Sequence, residues 1–145
     1  MKKTKIHDDF FSKIKETTAV KDLKALLDVT ANDYWHHHYV FEEESVFKKK
    51  QLGSQMVNNI LINTIAPILF TYGYYHKLEA VKENAIQLLS QLAAEKNTIT
   101  TGFTALGIEN KNAFDSQVLI QLKNEYCNKK RCLECAVGNK LLKEG

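Results

Sequence analysis

Residues 54–72 read SQMVNNILINTIAPILFTY. Val57, Ile60, Leu61, Ile65, Ile68 and Leu69 recur at intervals of three and four, which aligns them along one side of a helix. The spacing predicts a long apolar helix from about Ser54 to Tyr72, with those residues as its buried stripe. Pro67 has no amide proton for the carbonyl four residues back, so the helix should kink or split there. Gly73 is expected to help end it. Asn63 interrupts this most apolar helix. A buried Asn needs hydrogen-bond partners, so it reads as a tie between helices or to a loop.

The same periodicity extends in both directions. Phe10, Phe11 and Ile14 start an amphipathic segment, and Val20, Leu23, Leu26 and Leu27 continue the pattern in a short second helix. The stretch 31–53, ANDYWHHHYVFEEESVFKKKQLG, is aromatic first and strongly charged afterwards. It reads as a loop or irregular turn with room for a short helix. From Tyr75 to about Ala94 another helix should bury Leu78, Val81, Ala85, Leu88, Leu89 and Leu92. Asn97 or Thr98 can cap a shorter helix through Phe103 and Leu106, closed by Gly107. Asn112 caps the next, with Phe114, Val118, Leu119 and Leu122 on one face and Tyr126 at its end.

Asp115, Ser116 and Gln117 fall where that helix begins, and they read as structural anchors. Glu95 and Asn97 look like turn and capping residues rather than an acid–base pair. A cysteine turn follows, and Cys132 or Leu133 begins a final helix through Val137, Leu141 and Leu142. No alternating strand of convincing length and no repeat period is visible. The predicted fold class is all-α: a compact single-domain multi-helix array over residues 1–145 with a C-terminal cysteine-cluster turn.

Composition bounds the function. The chain has 145 residues, 44% of them hydrophobic and 26% charged, with one proline and six glycines, which is ordinary for a globular domain and argues against a disordered one. A net charge of +3 permits contact with nucleic acid but does not predict it. MKKTKIHDDFF has a basic start and no apolar core of a signal peptide, and the apolar run Ile60–Phe70 is too short to span a bilayer. The chain therefore reads as cytoplasmic, with no membrane partner. No GxSxG, HExxH, P-loop or dinucleotide fingerprint is present. Whether the chain is an enzyme stays open, with a non-catalytic role favoured.

Chemistry concentrates at YCNKKRCLECAVG. All three cysteines, Cys127, Cys132 and Cys135, lie within nine residues, spaced C-x4-C-x2-C. Two to four residues between thiolates let the backbone fold around one metal centre, and a reducing compartment keeps thiols available for it. Lys129, Lys130, Arg131 and a helix N-terminus would favour thiolate. Zinc is the expected metal and an iron–sulfur cluster the second choice; plant-type ferredoxin spacing begins alike, but no fourth cysteine follows. The alternative is that Cys132 and Cys135 are small apolar fillers. A tetrahedral site needs a fourth ligand, for which His7, His36, His37, His38 and His76 are the obvious sources. Against that stands a reading of the histidine triplet as surface aromatics.

Two basic runs, Lys48–Lys50 and Lys129–Arg131, suggest phosphate contact, and Tyr126 beside the second could stack on a base. Solvation is the simpler account of both runs. The motifs YWHHHYVF, LINTIAPILFTYG, AAEKNTI, FDSQVLIQLKNEYC and KRCLECAVG resemble the C-terminal region of domain-of-unknown-function family 2851, found mainly in Bacteroidota. The resemblance runs from Tyr34 to Lys143, within residues 31–145. Positions that match the family pattern include Trp35, His38, Asn63, Pro67, Glu95, Asn97, Asp115, Ser116, Gln117 and the three cysteines, whereas His36 and His37 are particular to this sequence. That match selects His38 as the fourth ligand. Family members carry a large preceding region, so the resemblance implies a protein partner or a missing N-terminal region. It implies no chemistry. The sequence thus points to an uncharacterised helical interaction or scaffold module with a structural metal site. The alternatives are a nucleic-acid-binding accessory module using Tyr126, Lys129, Lys130 and Arg131, and an enzyme domain with an open metal position.

Overall fold

A computed structural model describes residues 6–144, without the side chains at positions 6–9, 141, 142 and 144. The chain is mostly helical, with one very small sheet. It divides into two compact units, residues 1–88 and 89–145.

The first unit opens with helices α1 (Ile6–Glu16) and α2 (Val20–Leu26). Stretch 31–53 is more ordered than its composition suggests. Asn32 caps a short helix α3 (Asp33–His37) by accepting the Tyr34 N–H. A hairpin follows, with β1 (His38–Val40) antiparallel to β2 (Glu43–Glu44) and Glu42 left-handed at its turn (φ 66°). Further on, Gln51 forms an isolated bridge with Thr30. The hairpin is consistent with the expectation of no strand of convincing length, since its strands span three and two residues. Its few residues pair through the backbone, a signal too short to show as alternation.

Residues 54–75 form one helical run: α4 (Ser54–Ile60), a π-turn (Leu61–Ile65) and α5 (Ala66–Tyr75). The break expected at Pro67 takes the form of this π-turn. The Ala66 N–H bonds the Leu61 carbonyl five residues back, so the ladder changes register just before the residue that cannot donate. Val57, Leu61, Ile65 and Leu69 are buried as the stripe predicts, joined by Ile62 and Ala66, whereas Ile68 is exposed. An extra residue in the turn rotates the face that follows it by about 100°. Asn63 lies on the exposed side and donates to the Asn59 carbonyl at 3.2 Å, so it does not tie helices together.

Gly73 does not end the helix. The terminus is a Schellman motif at Lys77, left-handed at φ 56°, with Leu78 N–H on Gly73 O at 2.8 Å and Lys77 N–H on Tyr74 O at 3.3 Å. Helix α6 (Glu79–Gln91) therefore starts after this turn rather than at Tyr75, and Leu78 is exposed. Gly73 is buried because α6 passes close over it. A Cβ there would lie 2.8 Å from Lys82 Cγ, 2.9 Å from Lys82 N and 3.0 Å from Leu78 O. Two of those atoms are backbone and cannot swing away. Gly73→Ala is therefore expected to destabilise by about 1–3 kcal/mol despite alanine's better helix propensity. A denaturant midpoint equal to or above wild type would show that α6 yields freely.

The second unit contains the end of α6, then α7 (Thr98–Ala105), α8 (Ala113–Gln121), a π-turn (Leu122–Cys127) continuing α8, and α9 (Ala136–Glu144). Asn97 caps α7 in a reciprocal capping box with Thr100, and Gly107 (φ 81°) closes it. Asn112 caps α8 by accepting the Asp115 N–H. Of the apolar face expected on α8, Leu119 is buried and Leu122 half-buried, while Phe114 and Val118 are exposed. Ala113 and Ser116 fill the inner face instead, because α7 packs closely on that side. Helix α9 starts at Ala136, later than Cys132 or Leu133; the Leu141 and Leu142 side chains lie outside the described residues. Among the described residues no helix is long and apolar enough to cross a membrane.

Candidate functional site

The cysteine turn is built from the end of the α8 run. Arg131 N–H bonds Tyr126 O at 2.9 Å and Lys130 N–H bonds Cys127 O at 3.1 Å, with Lys130 left-handed at φ 53°. This is a second Schellman ending, with lysine where glycine is usual. The apolar contact that commonly closes the motif is replaced by the Arg131 guanidinium, 5.3 Å from the Tyr126 ring centre. The turn continues through Glu134 N–H on Arg131 O and Cys135 N–H on Cys132 O. Cys135 then supplies the first carbonyl of α9, bonded by Asn139 N–H at 2.8 Å, while Asn139 Nδ2 donates to Leu133 O at 3.0 Å.

Gly138 fixes this turn against α9. A Cβ there would lie 2.6 Å from Cys132 O and 3.1 Å from Cys132 Cα and Cβ. A glycine inside a helix costs stability by itself, and here it admits the Cys132 backbone. The outcome is a cavity of about 210 Å³ walled by Cys127, Cys132 and Cys135 with Phe103, Leu122 and Tyr126. All three thiols are free; Cys135 is buried, and Cys127 and Cys132 are exposed. A larger, more open cavity of about 410 Å³ shares Cys127 and Phe103 and extends along α7 past Gly102 and Leu106. Sequence spacing placed Cys132 and Cys135 one helical turn apart on the opening of a helix. They instead bracket the turn before it. Among the described residues no three His, Cys, Asp or Glu side chains already stand in a metal-holding arrangement. The thiols share a wall without converging as ligands.

The cations beside the thiols are matched by carboxylates. Lys129 Nζ lies 2.5 Å from Glu125 Oε2, and the Arg131 guanidinium pairs with Glu134. Hydrogen bonding to Lys129, reinforced by its charge, holds the Glu125 carboxyl below its usual range, and Arg131 does the same to Glu134. These pairs are exposed, so they add little to stability. Lys130 forms no ion pair among the described residues. Tyr126 is half-buried, with Arg131 over its ring.

The histidines occupy the first unit and are not alike. His36 is buried, and its Nδ1 accepts the Lys50 N–H at 3.1 Å, which corrects its reading as a surface aromatic. His38 Nδ1 lies 2.8 Å from the Tyr34 carbonyl, an atom that only accepts, so Nδ1 carries the proton and Nε2 is the basic nitrogen. Its ring stacks on Tyr34 with centroids 3.9 Å apart. His38 thus belongs to a different unit from the three cysteines. His76 is exposed beside Tyr72, and the His7 side chain lies outside the described residues. In the basic run ahead of α4, Lys50 donates to the His38 carbonyl and sits 3.6 Å from the Tyr39 ring centre, whereas Lys48 and Lys49 are exposed.

The remaining polar candidates form a knot in the second unit. Ser116 Oγ accepts the Glu95 N–H at 2.9 Å and donates to Asn110 Oδ1 at 2.8 Å. Thr100 Oγ1 donates to the Glu95 carbonyl at 2.9 Å and accepts the Asn97 N–H at 3.1 Å. Gln117 Nε2 donates to Glu95 Oε2 at 2.5 Å. These contacts anchor loop 92–97 to the start of α8, the structural role expected of Glu95, Asn97, Ser116 and Gln117. Thr100 and Asn110 were not singled out. Thr100 carried a signal, as the third residue after the Asn97 cap; Asn110 carried none.

No curated protein and no solved structure matches the chain. The family described as Protein of unknown function (DUF2851) matches residues 2–98, which takes in the hairpin, the 54–75 helical run and α6 and leaves the cysteine turn outside the matched stretch. With more than half of its length matched, the chain belongs to this family of unknown function.

Proposed function

We propose that this protein is a helical interaction or scaffold module whose C-terminal turn is stapled to α9 by a soft metal ion, zinc in the first place, through Cys127, Cys132 and Cys135. The supporting observation is that every cysteine of the chain lines one small cavity, whose floor Gly138 shapes by admitting the Cys132 backbone. Thiolates are the preferred ligands of zinc and of iron–sulfur clusters, and clustering of this kind exceeds what core packing requires. Cys135 is buried and Cys127 and Cys132 are exposed, so metal binding requires the three thiols to converge from where they now stand. The fourth position is left to water or to a group from a partner. The role assigned is structural, with no reaction step.

A ligand that binds only the folded state stabilises it, by about 2.7 kcal/mol at a hundredfold excess over Kd. For a chain of this size that corresponds to a rise in Tm of about 5–10 °C. Zinc added to metal-free protein should produce this rise, and Cys132→Ser with Cys135→Ser should abolish it while the uncomplexed variant keeps its helical circular dichroism. A zinc-induced rise that survives the double substitution would place the metal elsewhere and end the proposal.

A further inference from the structure

The charged hairpin of the first unit presents a surface that the folded chain leaves unsatisfied. Between Glu43 and Leu52 four backbone N–H groups are bonded to the rest of the first unit. Ser45 N–H bonds His37 O, Lys48 N–H bonds His36 O, Lys50 N–H bonds His36 Nδ1 and Leu52 N–H bonds Val29 O. The N–H groups of Val46, Phe47 and Lys49 have no partner among the described residues. Val46 and Phe47 are strongly exposed, at 90% and 60%, as is Phe41 in the hairpin turn at 75%. Glu42, Glu43, Glu44, Lys48 and Lys49 are exposed too and form no ion pair among the described residues.

The order of these residues selects what covers them. The stretch is acidic over 42–44 and basic over 48–50, with Val46 at the midpoint. An acidic partner would meet the lysines but be repelled by three glutamates, and a basic partner would meet the reverse. A second copy laid antiparallel about a two-fold axis through Val46 satisfies both, because Glu44 then faces Lys48 and Glu43 faces Lys49. Moving the axis two residues towards either run sets Glu44 against Glu44 or Lys48 against Lys48, and a parallel in-register arrangement opposes like charges along both runs. Lys50 is already held by Tyr39 and the His38 carbonyl, so Lys48 and Lys49 are the lysines that carry the selection.

We infer that two copies of this chain associate through the 42–49 segment in an isologous, antiparallel dimer, with the Glu42–Glu44 run of one copy against the Lys48–Lys49 run of the other. The patch is small, so the dimer is weak and salt-sensitive. This does not depend on metal binding.

The test is sedimentation equilibrium of the full chain over a concentration series reaching the millimolar range, at low salt. Wild type should show reversible dimerisation. Lys48→Glu with Lys49→Glu should weaken it about tenfold or more, and so should Glu42→Lys, Glu43→Lys and Glu44→Lys together, since each variant sets like charges against itself. Mixing the two variants should restore association as a heterodimer, because each then offers what the other lacks. All these positions are exposed, and circular dichroism confirms that the variants fold. Wild type that stays monomeric throughout, a dimer indifferent to either reversal, or variants that do not associate on mixing would each overturn the inference.

Discussion

Replacing Leu61 with alanine is expected to lower the unfolding free energy by about 3–5 kcal/mol. Leu61 is the first residue of the π-turn and is 0% exposed, with Ile62, Ile65 and Ala66 buried beside it in the same run. Truncation removes the transfer energy of its side chain and leaves a void that a close-packed core fills only partly. Total stability of ordinary domains is about 5–15 kcal/mol, so the loss is a large share. The informative control is Ile68→Ala. Simple helical spacing puts Ile68 in the same stripe as Leu61, but the π-turn has rotated it outward, where truncation should cost about 0.5 kcal/mol or less. Denaturant midpoints of the two variants decide the matter. Equal losses would mean that the helix runs regularly through Pro67.

The second large effect is Ser116→Ala, expected to cost about 2–4 kcal/mol. Ser116 is 0% exposed, and its hydroxyl is at once the acceptor for Glu95 N–H and a donor to Asn110 Oδ1. Alanine keeps the volume nearly constant, so packing barely changes, but both partners lose their contact in a buried place. Hydrogen exchange gives a local readout: the Glu95 amide should lose protection relative to amides in the middle of α8. Unchanged exchange at Glu95 would show that the knot does not hold loop 92–97.

What could be read in advance was the chemistry of near neighbours. Asn97 and Asn112 announce their helices because a cap acts within three residues, and the 54–72 stripe announces itself because packing repeats every turn. The π-turn was not legible, since Pro67 signals a disturbance without saying how the backbone absorbs it, and Ile62 and Ile68 exchanged places as a result. Gly73 and Gly138 look like punctuation in a sequence, yet both are close approaches created by a neighbouring segment. Ser116 could be marked as polar in an apolar place, but its partners Glu95 and Asn110 lie in separate loops that only tertiary folding brings together. The thiol cluster was visible from spacing alone. Its shape was not, because the Schellman turn at Lys130 delays α9 to Ala136 and leaves Cys127 and Cys132 at the surface.

The measurement that bears most directly on the thiol turn is elemental analysis, with a visible spectrum, of protein purified without oxygen and without added metal. A structural zinc site predicts a colourless protein with about one zinc per chain, released together with reactivity of the Cys127 and Cys132 thiols when a chelator is added. Fully folded protein that carries no metal, and takes up none when zinc is titrated in, would contradict it and leave the three cysteines as packing around an empty apolar cavity.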